Sequence, residues 1–272
     1  MGPRGGSAAA DGGVAMGAAG TAFASDFDGT LCDSDWNTGV ERYDAADIEA
    51  VRRYQEAGGL FGICTGRPLF SVLKSLDGIL DLDFYIVTTG AQVLAADLTP
   101  FLDKELGREL AEELHARYGG QDGMYTVVVT DGDFVSVDRP MSDRMGFAET
   151  IGDVAGRVLG VSFECMGDED WAHRIAADIN ERYAGVLAAF QNLGSVDVVC
   201  VGCSKGEGAR RAKEGLGVRL IAGIGDSYND LALLEAADVA YTFRKAPAEV
   251  RAVADRVVSS VAEALGDFVA RA

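Results

Sequence analysis

The sequence has no long apolar segment, although it runs to 272 residues. No stretch approaches the roughly 18 uninterrupted apolar residues of a membrane-spanning helix, so we expect no membrane partner. The beginning of the chain holds one arginine but no continuous apolar core of the kind that secretory signals contain. Its bias toward glycine, alanine and serine predicts a disordered leader over residues 1–20.

Positive charge is also scarce. Lysine and arginine together number 24, against 43 aspartates and glutamates, and the formal net charge is −19. Such an excess of negative charge repels the phosphates of nucleic acids and of anionic membranes, so we expect neither as a partner. A phosphorylated small molecule would bind only where a metal ion and nearby cationic side chains make the local electrostatic potential positive.

Histidine is rare, and the cysteines are odd in number. The five cysteines favour a reducing compartment, and hence a cytoplasmic protein, over a disulfide framework. Cys200 and Cys203 have the C-x-x-C spacing of a redox pair or of half a zinc site. The two histidines, His115 and His173, lie apart on predicted helices. We therefore interpret both cysteines as small apolar residues, with a redox pair as the alternative.

Short apolar runs alternate with helical patterns and indicate an α/β fold. The first part of the chain reads as strand 21–25, helix 44–58, strand 60–64, helix 69–78 and strand 84–88, without hairpin turns. This order is typical of a parallel, doubly wound sheet. The same pattern resumes near residue 220 and continues to a terminal helical region.

The middle of the chain has the pattern of a separate lobe. A charged amphipathic helix is predicted over 101–118, and Thr130-Asp131-Gly132-Asp133 between two apolar runs predicts a hairpin. Further strands and a helix follow. We therefore predict a Rossmann-like core over 21–91 and 201–272, with an inserted α+β cap domain over 92–200.

Polar residues follow the predicted strands or open the predicted helices at four points. Each has a structural explanation, since an aspartate after a strand is often a helix cap and a lysine is often a solvated charge. In an α/β fold, however, ligands bind at the carboxyl ends of parallel strands, so we expect these residues to converge. They are Asp26 and Asp28, Thr65 and Gly66, Lys205, and Asp226 with Asn229 and Asp230.

Together these groups meet the requirements of phosphoryl transfer, which needs a nucleophile, neutralisation of a dianion and a mobile proton. Carboxylates such as Asp26 and Asp226 suit Mg²⁺, a hard cation that prefers oxygen ligands. Lys205 supplies a second positive charge, and the Thr65 hydroxyl can donate to phosphate oxygens. Asp28 would be free to move a proton to the leaving alcohol and later from water.

Four segments in this order resemble the signatures of the haloacid dehalogenase superfamily: Asp-Phe-Asp-Gly-Thr, Thr-Gly-Arg, Ser-Lys-Gly and Gly-Asp-Ser-Tyr-Asn-Asp. The insertion between the second and third resembles the type IIB cap of the Cof-like phosphatases. The resemblance implies a Mg²⁺-dependent phosphatase that hydrolyses small phosphate monoesters, such as sugar or cofactor phosphates, through an aspartyl-phosphate. Two segments depart from the family pattern, Thr89-Gly90-Ala91 in place of Asn-Gly-Ala, and residues 242–246.

The resemblance also implies a role for each residue. Asp26 would be nucleophile and metal ligand, and Asp28 would be the acid/base with its backbone carbonyl on the metal. The remaining roles are phosphate binding by Thr65, Gly66, Lys205 and Asn229, and metal binding or its support by Asp226 and Asp230.

Two other functions stay open. A phosphomutase of the same superfamily would need a cationic pocket in the cap for a second anionic group, and Arg139 and Arg144 are candidates for it. A non-catalytic sensor of phosphorylated ligands is the second alternative, although it would not need both Asp26 and Asp28. Trp171 is interpreted as a packing residue after an acidic helix start.

Overall fold

The computed structural model describes residues 18–35 and 38–272, so most of the predicted leader lies outside the described residues. Two sheets and a short hairpin account for the strands. In chain order the strands are β1 (Thr21–Ser25), β2 (Cys32–Asp35), β3 (Val40–Tyr43), β4 (Leu60–Cys64), β5 (Phe84–Val87), β6 (Gln92–Ala95), β7 (Pro100–Asp103), β8 (Tyr125–Thr130), β9 (Phe134–Val137), β10 (Gly146–Ala148), β11 (Val158–Glu164), β12 (Leu187–Asn192), β13 (Ser195–Cys200), β14 (Leu220–Gly225), β15 (Val239–Phe243) and β16 (Arg256–Val258).

The α-helices flank the two sheets. They are α1 (Ala45–Glu56), α2 (Leu69–Leu76), α3 (Arg108–Tyr118), α4 (Glu169–Arg182), α5 (Lys205–Leu216), α6 (Leu231–Ala236), α7 (Ala248–Val253) and α8 (Val261–Arg271). Within the described residues, no helix is both long enough and apolar enough to cross a membrane.

The core is an eight-stranded sheet in the order β16-β15-β14-β1-β4-β5-β6-β7. Its central strands are parallel, and β6 and β7 add an antiparallel edge. Both faces are buried. Phe23 on β1 stacks on Phe61 and Tyr241 on one face, each pair with ring centroids 5.9 Å apart. Ala22 and Ala24 are part of the apolar cluster on the other face, which includes α5. The predicted doubly wound α/β core is thus confirmed.

The cap is a six-stranded sheet in the order β10-β9-β8-β11-β13-β12, inserted between β7 and α5. One face packs on α3 and α4 through a cluster that includes Leu114, Val128, Phe163 and Ile179. The predicted α+β cap is therefore confirmed. Lys104 Nζ donates to the Val201 carbonyl at 2.9 Å, so the chain leaves and re-enters the core at neighbouring points.

The structure differs from the predicted elements in three places. Residues 92–103, assigned to the cap, form β6 and β7 in the core sheet, and we propose that the cap starts after them. The helix predicted over 101–118 begins only at Arg108, because Phe101 lies on a strand and packs against α5. Strands β2 and β3 form a hairpin that the sequence did not predict.

A tight turn after β5 brings the two halves of the core together. Thr88, Thr89 and Gly90 have φ of 50°, 52° and 83°, and positive values are rare for threonine. The Thr89 N–H donates to the Thr65 carbonyl at 3.0 Å. A Cβ on Gly90 would lie 2.2 Å from the Ser204 carbonyl oxygen. The turn therefore packs closely against the residue before Lys205.

We expect Gly90→Ala to lower the free energy of unfolding more than Gly78→Ala does. Both glycines have positive φ, but nothing lies within 4 Å of a Cβ on Gly78. At Gly78, an alanine held at positive φ should lower the free energy of unfolding by about 1–2 kcal/mol. At Gly90, the same backbone strain together with the clash against Ser204 should lower it by on the order of 3 kcal/mol. Urea unfolding of both variants measures the difference, and equal losses would contradict the described contact.

Candidate active site

The polar residues predicted to converge lie together at the carboxyl edge of the core sheet. Asp26, Thr65 and Asp226 directly follow β1, β4 and β14, which are neighbours in the sheet. The Asp26 N–H donates to the Ile224 carbonyl at 2.9 Å, which fixes the end of β1 beside β14. A cavity of about 1140 Å³ lies above this edge, and its lining includes Asp26, Asp28, Thr65, Gly66, Asp226 and Asn229 from the predicted set.

Lys205 lies beneath the cavity. It is the first residue of α5, whose Ser204 cap accepts a hydrogen bond from the Glu207 N–H at 2.9 Å. The side chain is 1% exposed, and Nζ donates to Asp26 Oδ1 at 2.7 Å and to Asp230 Oδ1 at 2.6 Å. The ammonium therefore joins two carboxylates from different segments, and it is absent from the cavity lining found for the described residues.

Asp230 organises the loop after β14. Its Oδ2 accepts hydrogen bonds from the N–H groups of Asp226 at 2.9 Å and Ser227 at 3.0 Å. With Oδ1 bonded to Lys205, both oxygens of this fully buried carboxylate have partners. Asp230 thus holds the Asp226 loop in position.

Asp26, Asp226 and Asp230 form an acidic cluster whose ligand atoms lie within 4.8 Å of one another. Burial, reinforced by the Asp230 carboxylate, raises the pKa of Asp26 to about 8 against the opposing effect of Lys205. Burial also raises the pKa of Asp226. For Lys205, burial would lower the pKa, but Asp230 and Asp26 outweigh it and keep the ammonium charged. The cluster is therefore short of positive charge, and its hard oxygen donors suit a divalent cation such as Mg²⁺.

A second lysine lies at the rim of this cluster. Lys245 Nζ is 3.0 Å from Asp226 Oδ2 and also donates to the Gly29 carbonyl. Its side chain is 57% exposed, in contrast to that of Lys205. Sequence reasoning noted the unusual segment 242–246 but did not place a cation beside Asp226.

Asp28 has a different environment from Asp26. Arg67 binds it through two hydrogen bonds, from Nε at 2.8 Å and from Nη2 at 2.5 Å. The same guanidinium donates to Glu41 at 2.7 Å and lies over the Phe27 ring, 4.6 Å from its centroid. Burial opposes ionisation of Glu41, yet its hydrogen bonds from Arg67 and Ser75 lower its pKa. Arg67 was part of the Thr-Gly-Arg signature, but sequence reasoning gave it no role.

Of the two arginines predicted as candidates for binding a second anionic group, one lines the cavity and the other does not. Arg144 lines the cavity, whereas Arg139 donates to the carbonyls of Gln121 and Met124 and stacks on Tyr125. The Trp171 side chain packs against the cap cluster, in agreement with the packing interpretation, and its backbone N–H donates to the Asp168 side chain that caps α4. The described cysteines, Cys200 and Cys203 included, are free thiols.

The sequence of this chain matches a known protein family over most of its length. The sequence model of the haloacid dehalogenase-like hydrolases matches residues 23–268. The chain belongs to this family. The resemblance inferred from the four signatures is thereby confirmed, and the protein is a haloacid dehalogenase-like hydrolase. A search of curated proteins found no match.

Solved structures share the fold of this hydrolase at low identity. A HAD subclass IIB sugar phosphatase is 18% identical, with a TM-score of 0.74 over 91% of this chain and 98% of the other. A phosphatase from Bacteroides thetaiotaomicron is 19% identical, with a TM-score of 0.73 over 96% and 98%. A HAD/COF-like hydrolase from Plasmodium vivax is 16% identical, with a TM-score of 0.77 over 95% and 99%. These matches support the two-part architecture.

We expect Arg67→Met to destabilise the hydrolase by about 2–3 kcal/mol, because it leaves Asp28 and Glu41 without their shared cation. Arg67 is 6% exposed in its side chain, and its partners are only about a quarter exposed. Arg53→Met is the control, since Arg53 is 74% exposed and pairs with Glu49 on the surface of α1; its effect should stay within about 0.5 kcal/mol. Urea unfolding compares the two, and similar small losses would contradict a structural role for Arg67.

Proposed function

We propose that this hydrolase is a Mg²⁺-dependent phosphatase that acts on small phosphate monoesters through an aspartyl-phosphate on Asp26. One observation carries the proposal. Asp26 and Asp28, only two residues apart, line the same cavity but have different surroundings. Asp26 is buried and forms an ion pair with Lys205, whereas Asp28 is half-buried and forms an ion pair with Arg67. Covalent phosphoryl transfer needs this difference, because one acid attacks while the other moves a proton.

In the first step, an Asp26 oxygen attacks phosphorus and the bond from phosphorus to the ester oxygen breaks. Asp28 delivers its proton to that oxygen, so the product leaves as a neutral alcohol. The Thr65 hydroxyl and the N–H of Gly66 donate to the phosphate oxygens, with Asn229 beside them in the cavity lining. Lys205 holds Asp26 in place and limits the charge that builds up beneath the phosphate.

In the second step, water attacks the phosphorus of the aspartyl-phosphate and the bond to Asp26 breaks. Asp28, now ionised, takes the proton from the attacking water, which releases inorganic phosphate and restores both acids. Arg67 donates two hydrogen bonds to the Asp28 carboxylate, which is the form that accepts the proton in this step.

Asp26, Asp226 and the backbone carbonyl of Asp28 would hold Mg²⁺. Bound there, the ion would neutralise the carboxylates and the phosphate dianion. Asp230 is a member of the acidic cluster, but both of its oxygens already accept hydrogen bonds, so we assign it to positioning Asp226 and Lys205.

The cavity favours hydrolysis over the phosphomutase alternative. A second anionic group on the substrate would need cations in the cap, yet Arg139 is engaged with backbone carbonyls away from the cavity. Of that pair only Arg144 lines the cavity, while the cap contributes the carboxylates of Glu164 and Asp197. The sugar phosphatase of similar fold supports a small phosphorylated substrate. The complete pair of acids argues against a non-catalytic sensor.

We expect Asp26→Asn to abolish turnover, because the amide cannot form the acyl phosphate. Phosphate release from a panel of small phosphate esters is measured with Mg²⁺ and with EDTA. Asp33→Asn is the matched control, since Asp33 is an acid on β2 whose side chain is 80% exposed. Retention of more than a few per cent of wild-type turnover by folded Asp26→Asn would refute the assignment.

We expect Lys245→Met to tighten Mg²⁺ binding several-fold, because an ammonium 3.0 Å from Asp226 opposes a cation there. Calorimetric titration with Mg²⁺ alone measures this without reference to turnover. Lys213→Met is the control, since Lys213 pairs with Asp238 at 2.7 Å, away from the cluster. Unchanged or weaker binding in Lys245→Met would show that Lys245 does not compete with the cation.

A further inference from the structure

The cap sheet turns a polar face toward the cavity. Side chains alternate along a strand, so the residues between those packed on α3 and α4 point to the opposite side. The cavity-lining residues of this face carry hydroxyls, an amide and carboxylates beside two apolar side chains. Among the described residues they are Val127, Phe134, Ser162, Glu164, Asn192, Ser195 and Asp197, and Arg144 lines the cavity from the segment between β9 and β10.

Two carboxylates on this face, Glu164 and Asp197, have no cationic partner among the described residues. Asp197 on β13 lies opposite Ser162 on β11, and Glu164 lies two residues farther along β11. Ser162 donates its hydroxyl hydrogen to Glu164 Oε1 at 3.0 Å. Within residues 18–35 and 38–272, neither Glu164 nor Asp197 forms an ion pair with a lysine or arginine side chain. Within the described part of the chain, a negative charge on either carboxylate is therefore not paired with a cation.

The surroundings make this charge costly to retain. Burial, with the added effect of Asp197, raises the pKa of Glu164 to about 7. Burial also raises the pKa of Asp197, against the opposing effect of the distant Lys205 charge. Carboxylates in such a place are stabilised most by a cation that arrives with a ligand and hydrogen-bonds to both.

Asp197 also lies beside the loop that would bind phosphate. Asp197 Oδ2 is 3.2 Å from the position that a Cβ on Gly66 would take, and Thr89 Oγ1 is 3.4 Å from the same point. A phosphate dianion held by Thr65 and Gly66 would meet Asp197 as a like charge. A positive group between the phosphate and the cap carboxylates would neutralise both.

We infer that Glu164 and Asp197 select a phosphate monoester whose alcohol carries a protonated amino group a few bonds from the phosphate. This inference rests on the proposed phosphatase activity and specifies its substrate class. The amine accounts for two carboxylates that have no paired cation among the described residues and for the placement of Asp197 beside Gly66. A second anionic group placed against Glu164 and Asp197 would instead be repelled.

Two pairs of nearly isosteric esters test this preference: 2-aminoethyl phosphate against 2-hydroxyethyl phosphate, and glucosamine 6-phosphate against glucose 6-phosphate. We expect kcat/KM to favour the amine by about tenfold or more in at least one pair, as for a desolvated charge-assisted hydrogen bond. Glu164→Gln and Asp197→Asn should each bring that ratio close to one. Asp133→Asn is the matched control, because Asp133 lines the same cavity from the β8–β9 turn and should keep the ratio.

A binding measurement separates this inference from the phosphatase activity. Calorimetry with Asp26→Asn should show tighter binding of the amino ester than of the hydroxy ester, and the preference should vanish when Glu164→Gln is added. Equal binding and equal kcat/KM in both pairs, or a preference that survives both cap substitutions, would overturn the inference while leaving hydrolysis of the hydroxy esters intact. Failure of every ester to be hydrolysed would instead overturn the proposed function, and with it the substrate class.

Discussion

The ion pair of Lys205 with Asp26 and Asp230 is the interaction on which the site depends. It joins the end of β1, the start of α5 and the loop after β14, which are distant in sequence. Two buried carboxylates so close together would repel each other without the ammonium, and removal of one partner from a buried group of charges is strongly destabilising. The close contact of Gly90 with Ser204 sets the start of α5, and therefore the position of that ammonium.

From this arrangement follows the division between two acids that are nearly adjacent in sequence. The backbone turns outward after Asp26, so Asp28 leaves the buried cluster and reaches Arg67, which also binds Glu41. One carboxylate is thus held by an ammonium in the interior and the other by a guanidinium at the wall of the cavity. Different surroundings, more than residue type, suit them to different chemistry.

The sequence predicted the site best where a polar residue directly follows an apolar strand. Apolar runs followed by Asp26, Thr65 and Asp226 predicted both the parallel sheet and the edge where polar residues meet. Arg67 was overlooked because its partner Glu41 lies on the β2–β3 hairpin, and the polar Cys32–Asp35 run has little of the β-branched and aromatic character of a strand.

Other features depend on tertiary packing that a single sequence does not carry. The hairpin predicted at residues 130–133 indicated a separate lobe, but it could not show that β6 and β7 pair with the core sheet and not with the cap. The position of Asp197 beside Gly66 depends on how the cap sheet lies on the core, which no local pattern records.

The hydrogen bond from Lys104 to Val201 has a consequence for how the core assembles. Strand β14 must pair with β1 although the whole cap intervenes between them in the chain. The entropy lost on closing a loop grows only with the logarithm of its length, so a long excursion adds little to the cost of that pairing. Once the cap has folded, its two ends lie side by side. For the pairing of β1 with β14, the folded cap is then equivalent to a short loop.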